Sequence, residues 1–232
     1  PGSAHRLNTR CPQRAARFSS QERVLKKINT VIAAAIGALA LTLGATPDGS
    51  LGFAQAQAGW IAARLKRLPQ ARPFADGVEV PLFGAPHVVR HRAGARGTVW
   101  LESGEIHVAG RPEHLPRRLR DWLIAQMRLQ IEPLVLQKAT RVERRVKRIT
   151  LRDNRSRWGS CGPDGSMSFS WRLVFAPPVV LDYLVAHEVA HLVHHNHGDR
   201  FWALARELCD GSMDEAHAWL RRHGETLLQY GA

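Results

Sequence analysis

The stretch from Ser166 to Leu192 constrains the fold more than any other part of the chain. From Ser166 to Val174, Met167, Phe169, Trp171 and Leu173 alternate with Ser168, Ser170 and Arg172. That period of two reads as a strand with one face buried. Ala176-Pro177-Pro178 closes it. Proline is tolerated in the first turn of a helix, so the same residues open the next element. Apolar residues then recur at helical spacing from about Val179 to Leu192.

Elements of both kinds precede and follow this unit. Short strands are expected around Val78–Phe83, His87–His91, Thr98–Leu101 and Glu105–Val108, between glycine-containing turns. Arg111-Pro112 and Pro116 lead into a helix carrying Leu119, Trp122, Leu123, Met127 and Ile131, continuing past Pro133 with a kink. Val146–Arg152 reads as a strand and Asp153–Gly165 as a loop. Asp199 is placed to cap a helix over Arg200–Leu208, and Asp214 begins a last helix with Ala218, Leu220 and Leu227. The expected class is α+β with a small mixed sheet.

The beginning of the chain reads differently. Residues 1–22 are basic, polar and aperiodic, as a disordered arm would be. Lys26-Lys27 precede an apolar run from Val31 to Leu43. The run is shorter than the about 20 residues of a membrane span. Small-x-small cleavage sites fit it poorly, and Leu39, Leu41 and Leu43 alternate as a strand would, so an export signal is not expected. Phe53, Ala56, Trp60, Ile61 and Leu65 mark an amphipathic helix over 51–68. The expected division is an arm and apolar segment over 1–45 and one domain over 46–232.

His187-Glu188-Val189-Ala190-His191 lies within the helix Val179–Leu192. Residues i and i+4 share a helix face, so both imidazoles can bind one cation. Glu188 is turned about 100° from His187. It cannot join them on the metal, but it can reach a water there. This is the logic of the H-E-x-x-H zinc site, in which the glutamate is the general base. Such a site needs a third protein ligand. His194 continues the face if the helix continues. His197 lies beside Asn196 and Gly198, where the chain can fold back. Glu207 sits on the next helix. Spacing leaves the three open. The metzincin pattern H-E-x-x-H-x-x-G-x-x-H would also take His197, but its glycine position holds His194.

Several segments together resemble the YgjP-like metallopeptidases, small bacterial zincins related to the SprT and WLM groups. They are Arg152-Asp-Asn-Arg-Ser-Arg-Trp-Gly-Ser-Cys161, Phe169-Ser-Trp-Arg-Leu173, Ala176-Pro-Pro178, His187-Glu-Val-Ala-His191, Asn196-His197 and Arg200-Phe-Trp202. The resemblance implies a zincin-like catalytic core and one Zn2+ per chain. It implies His187, His191 and His197 as ligands, with Glu188 catalytic. It also implies a cytoplasmic bacterial protein. In zincins the strand before the active-site helix borders the substrate cleft, which here points to Ser166–Val174 as a strand that pairs with an extended peptide. Trp158 is expected to pack under the helix, with Gly159 allowing close approach. His217 and His223 read as surface residues.

The expected function is a zinc-dependent metallohydrolase, foremost a peptidase acting on a peptide or protein. Two alternatives use the same centre. One is a nucleoside triphosphate pyrophosphatase, which a basic surface would suit, although no glycine-rich phosphate loop is present. The other is an SprT-like protease acting on nucleic-acid-bound proteins. The chain has 33 Lys and Arg against 20 Asp and Glu, a net charge of +13. Its basic clusters lack the interleaved aromatics of single-strand binders, so they read first as solvated surface, with nucleic acid left open as a partner. Three widely spaced cysteines, Cys11, Cys161 and Cys209, build no disulfide framework and fit a reducing compartment.

Overall fold

The computed structural model describes residues 71–231. The strand expected at 39–43 and the helix expected at 51–68 lie outside the described residues. Within them are seven strands and four α-helices. No helix among the described residues is long and apolar enough to cross a membrane.

The first sheet contains β1 (Glu79–Leu82), β2 (Ala85–Arg92), β3 (Val99–Glu102) and β4 (Glu105–Ala109), in the order β1-β2-β4-β3. β2 and β4 run parallel and the other pairs antiparallel. Val80, Val89, Ile106 and Val108 are wholly buried in it. Helix α1 (Leu115–Arg141) packs beside this sheet, with Leu115, Leu119, Leu123, Met127, Ile131, Val135 and Ala139 buried. A row at every fourth residue drifts by about 40° per step. It therefore winds round the helix and lets α1 touch different partners along its length. Near its start, Arg118 donates to the Ala109 carbonyl; near its end, Lys138 meets the helix that follows the second sheet. Pro133 lies inside α1 without ending it. The carbonyl that its missing N–H would have served belongs to Leu129, which is exposed and open to water.

The second sheet contains β5 (Arg148–Arg152), β6 (Gly159–Cys161) and β7 (Ser166–Ser170), in the order β5-β7-β6. β5 runs parallel to β7 and β6 antiparallel to it. Two expectations need correction. β6 lies where a loop was expected. The strand expected over Ser166–Val174 ends at Ser170, and Trp171–Phe175 is a buried 3-10 turn. Arg172, read as the outward member of an alternation, is 1% exposed. Its Nε donates to Asp153 Oδ1 at 2.7 Å, and its Nη1 donates to the Tyr230 carbonyl. Pairing satisfies the charge inside the protein, so polarity there did not mean exposure.

Helix α2 (Pro178–Ala190) starts with Pro178 in its first turn, as expected. From Val180 to Ala190 every residue except Asp182 is buried, so α2 is a central helix and not an amphipathic surface one. Helices α3 (Asp199–Leu208) and α4 (Met213–Leu227) pack against it. Gly198, not Asp199, occupies the cap position of α3. Ser212 caps α4 by accepting the Glu215 N–H at 3.2 Å.

Two contacts seat α2. The tip of the β1–β2 hairpin meets its start: Phe83 N–H donates to the Val174 carbonyl at 2.7 Å. Gly84, at φ +84°, has no room for a Cβ, which would lie 3.0 Å from Pro177 Cβ. Farther along, Lys138 Nζ is 2.6 Å from Asp182 Oδ1 and 2.8 Å from Asp210 Oδ2. The architecture is α+β, with two small mixed sheets where one was expected.

Candidate metal centre

His187 lies on α2 and His191 one turn later at its C-cap, in helical conformation, as their spacing requires. The helix stops at Ala190, and the N–H groups of Val193 and His194 both return to the Ala190 carbonyl, at 3.1 and 2.9 Å. Residues 191–193 form a turn and His194 lies beyond it, outside any helix, so His194 does not continue the helical face. Gly198 N–H to the Asn196 carbonyl, at 2.8 Å, tightens the turn that brings back His197. One ring nitrogen from each of His187, His191 and His197 lies within 4.8 Å of the others. The Nε2 atoms of His187 and His197 are 3.1 Å apart. Neither His194 nor Glu207 belongs to this group. Burial falls from His187 through His191 to His197, so the cluster opens to solvent at His197.

The rings are also oriented. His191 Nδ1 lies 3.1 Å from the His194 carbonyl. A carbonyl can only accept, so Nδ1 carries the hydrogen and Nε2 keeps its lone pair. Burial, followed by the neighbouring His191 and His197, pushes the His187 pKa down to about 3. His187 is therefore neutral at neutral pH, the form in which imidazole binds a metal. Phe201 is fully buried, with its ring centre 5.0 Å from that of His187 and 4.6 Å from those of His191 and His197. It forms an apolar floor under all three rings. Sequence reasoning assigned Phe201 no role; its position just beyond Asn196-His197 was the available signal. The Lys138–Asp182 anchor was missed as well.

Glu188 does not lie in the histidine group. It is 3% exposed and faces β6. Burial raises its pKa to about 8, against the pull of the Arg157 charge. A cation among the histidines would draw it back down. Cys161, half-buried on β6, has its thiol pushed up to about 11 by burial and then by the charges of Glu188 and Asp164. It stays protonated at neutral pH and is unsuited to act as a nucleophile. Trp158 is buried and Arg157 exposed. His217 packs edge-on to Tyr183 at 6.4 Å, and His223 lies against Trp219 at 4.9 Å.

The strand expected to pair with a peptide cannot do so. β7 is the middle strand, and β5 and β6 already use both of its edges. The free edge beside α2 belongs to β6, which has no second partner among the described strands.

A family model described as YgjP-like, metallopeptidase domain, matches residues 38–223. No curated protein and no solved structure matches the chain.

Proposed function

Since the chain belongs to the YgjP-like metallopeptidase family, we propose that it is a zinc peptidase in which His187, His191 and His197 hold the ion and Glu188 is the general base. The observation that carries this reading is the group of three imidazole nitrogens within 4.8 Å of one another beside a buried carboxylate. The donor set fits the ion. Zinc–nitrogen bonds of about 2.0–2.1 Å place tetrahedral ligands about 3.4 Å apart. The 3.1 Å between the Nε2 atoms of His187 and His197 is close to that. Three imidazole donors also suit zinc better than the harder magnesium or calcium.

When bound, zinc would acidify a water and polarise the scissile carbonyl. Glu188 takes the proton of the attacking water on a carboxylate oxygen and returns it to the leaving amine nitrogen. Phe201 keeps water away from the inner side of the imidazoles. His197, on the open side, leaves room for the substrate. The free edge of β6 runs beside Glu188, so an extended peptide pairing there would pass the base. Free thiols at Cys161 and Cys209 suit a reducing cytoplasm.

The test is hydrolysis of denatured protein by the zinc-loaded chain, with nucleoside triphosphates offered in parallel. Peptide cleavage should stop with a chelator. Glu188→Gln should lower kcat on the order of 10³-fold with zinc content unchanged. Full activity in Glu188→Gln, or cleavage indifferent to chelation, would sink the proposal. Triphosphate hydrolysis without peptide cleavage would assign the centre to a pyrophosphatase instead.

A further inference from the structure

A Cβ placed on Gly159 would lie 2.5 Å from Glu188 Oε1, 2.8 Å from Cγ and 2.9 Å from Cδ. Real Cβ atoms essentially never come closer than 3.0 Å to a neighbour. Backbone conformation does not explain the glycine, because Gly159 is not among the positive-φ residues. The explanation is space, and Glu188 fills it.

The strand cannot back away to make room. Gly159 pairs with Phe169 across the ladder. The carbonyl of Trp158 accepts the Ser170 N–H at 2.8 Å. Trp158 and Phe169 are 4% and 0% exposed. On the other side, α2 is buried almost all round. Moving Oε1 alone would not relieve the contact, since Cγ and Cδ are also touched. The whole glutamate side chain would have to change rotamer. Cys161 lies two residues along β6, on the same face as Gly159, and keeps its side chain. The recess is therefore local to residue 159.

We infer that Gly159 is a positioning residue: its missing side chain is the recess that holds the Glu188 carboxylate in place beside the histidine cluster. This rests on the proposed role of Glu188 as base. A base held by packing has its geometry set before substrate arrives, and small displacements of such a group are costly.

Two measurements on the full-length, zinc-loaded chain test it. The first is a double-mutant cycle in thermal unfolding, which needs no activity. Gly159→Ala should lower Tm by about 4 °C or more. In a Glu188→Ala background, where the obstructing atoms are gone, the same change should shift Tm by no more than about 1 °C. Failure of Gly159→Ala to fold while the double variant folds counts as the same result. Additive shifts would overturn the inference. The second measurement is kinetic. Gly159→Ala should retain about one zinc per chain and a near-normal KM, while kcat falls on the order of 10²-fold. Leu227→Ala, a remote core variant, serves as the control for lost stability. Coupled stabilities with kcat unchanged, or a kcat loss matched by the control, would also overturn it. If the wild-type chain cleaves no peptide, the peptidase reading fails and the kinetic role falls with it, while the cycle still decides whether Gly159 holds Glu188.

Discussion

Lys138 Nζ lies 2.6 Å from Asp182 Oδ1, and the lysine is fully buried. The pair joins α1 to α2 shortly before His187. Asp210 Oδ2, at 2.8 Å, and the Leu208 carbonyl complete the ammonium's partners. Asp182 Oδ2 in turn accepts the N–H groups of Asp210 and Gly211, at 2.7 and 3.0 Å. One lysine thus ties the long helix, the site helix and the turn after α3 together.

Removing the lysine charge should be expensive. Lys138→Met leaves the largely buried Asp182 without its cation, while the exposed Asp210 keeps Arg141 Nη1 at 2.9 Å. Breaking a buried pair from one side costs about 3–5 kcal/mol. Denaturant unfolding of variant and wild type should show a difference of that size. A difference under about 1 kcal/mol would mean that the pair does not anchor α2.

The anchor should also depend on pH. Burial raises the Asp182 carboxyl, but its bonds from Lys138, Gly211 N–H and Cys209 outweigh that and leave it below its ordinary value. Asp210 is lowered mainly by its bond from Lys138. For carboxylates with depressed folded values, the stabilisation is complete above the unfolded value of about 3.9 and is lost as pH falls through the folded value. The stability gap between wild type and Lys138→Met should therefore be wide at pH 7 and narrow by about pH 3. Histidine titration affects both proteins and largely cancels in the difference. A gap constant from pH 7 to 3 would contradict the assignment.

The two loop histidines should behave unequally. His194 serves His191 through its main-chain carbonyl, which His194→Ala retains. His197 contributes a ring nitrogen to the cluster. Elemental analysis after dialysis should find near-normal zinc in His194→Ala and a large loss in His197→Ala. The opposite ranking would restore the ligand that a continuing helix would have supplied.

The histidine pair could be read from the sequence because helical period and residue chemistry coincide there. His197 could not be separated from its rivals by spacing. The helix ends at Ala190, and the first glycine or proline comes only at Gly198. Leu192 and Val193 N–H donate only three residues back, to the Val189 and Ala190 carbonyls, and no residue type announces this tightened turn. β6 was invisible for a similar reason. Gly-Ser-Cys has little strand preference, and it is a strand only because β7 lies beside it. That same pairing makes β7 a middle strand, which leaves it no edge for the peptide expected there. Lys138 looks like any solvated lysine on a helix; its partner Asp210 lies 72 residues away. Arg172 misled in the same manner, since its alternation with apolar neighbours gave no sign of Asp153 and the Tyr230 carbonyl.

The seating of α2 makes the centre a joint property of two halves of the chain. All three clustered histidines and Glu188 lie after the β5–β7 sheet. The hairpin tip at Phe83 and Gly84 and the buried Lys138 lie before it. Severing the chain between Arg141 and Lys147 would put every candidate ligand on one fragment and both supports of their helix on the other. The proposed centre therefore draws on both halves of the sequence, and its helix would lose these two contacts in the fragment that carries the ligands.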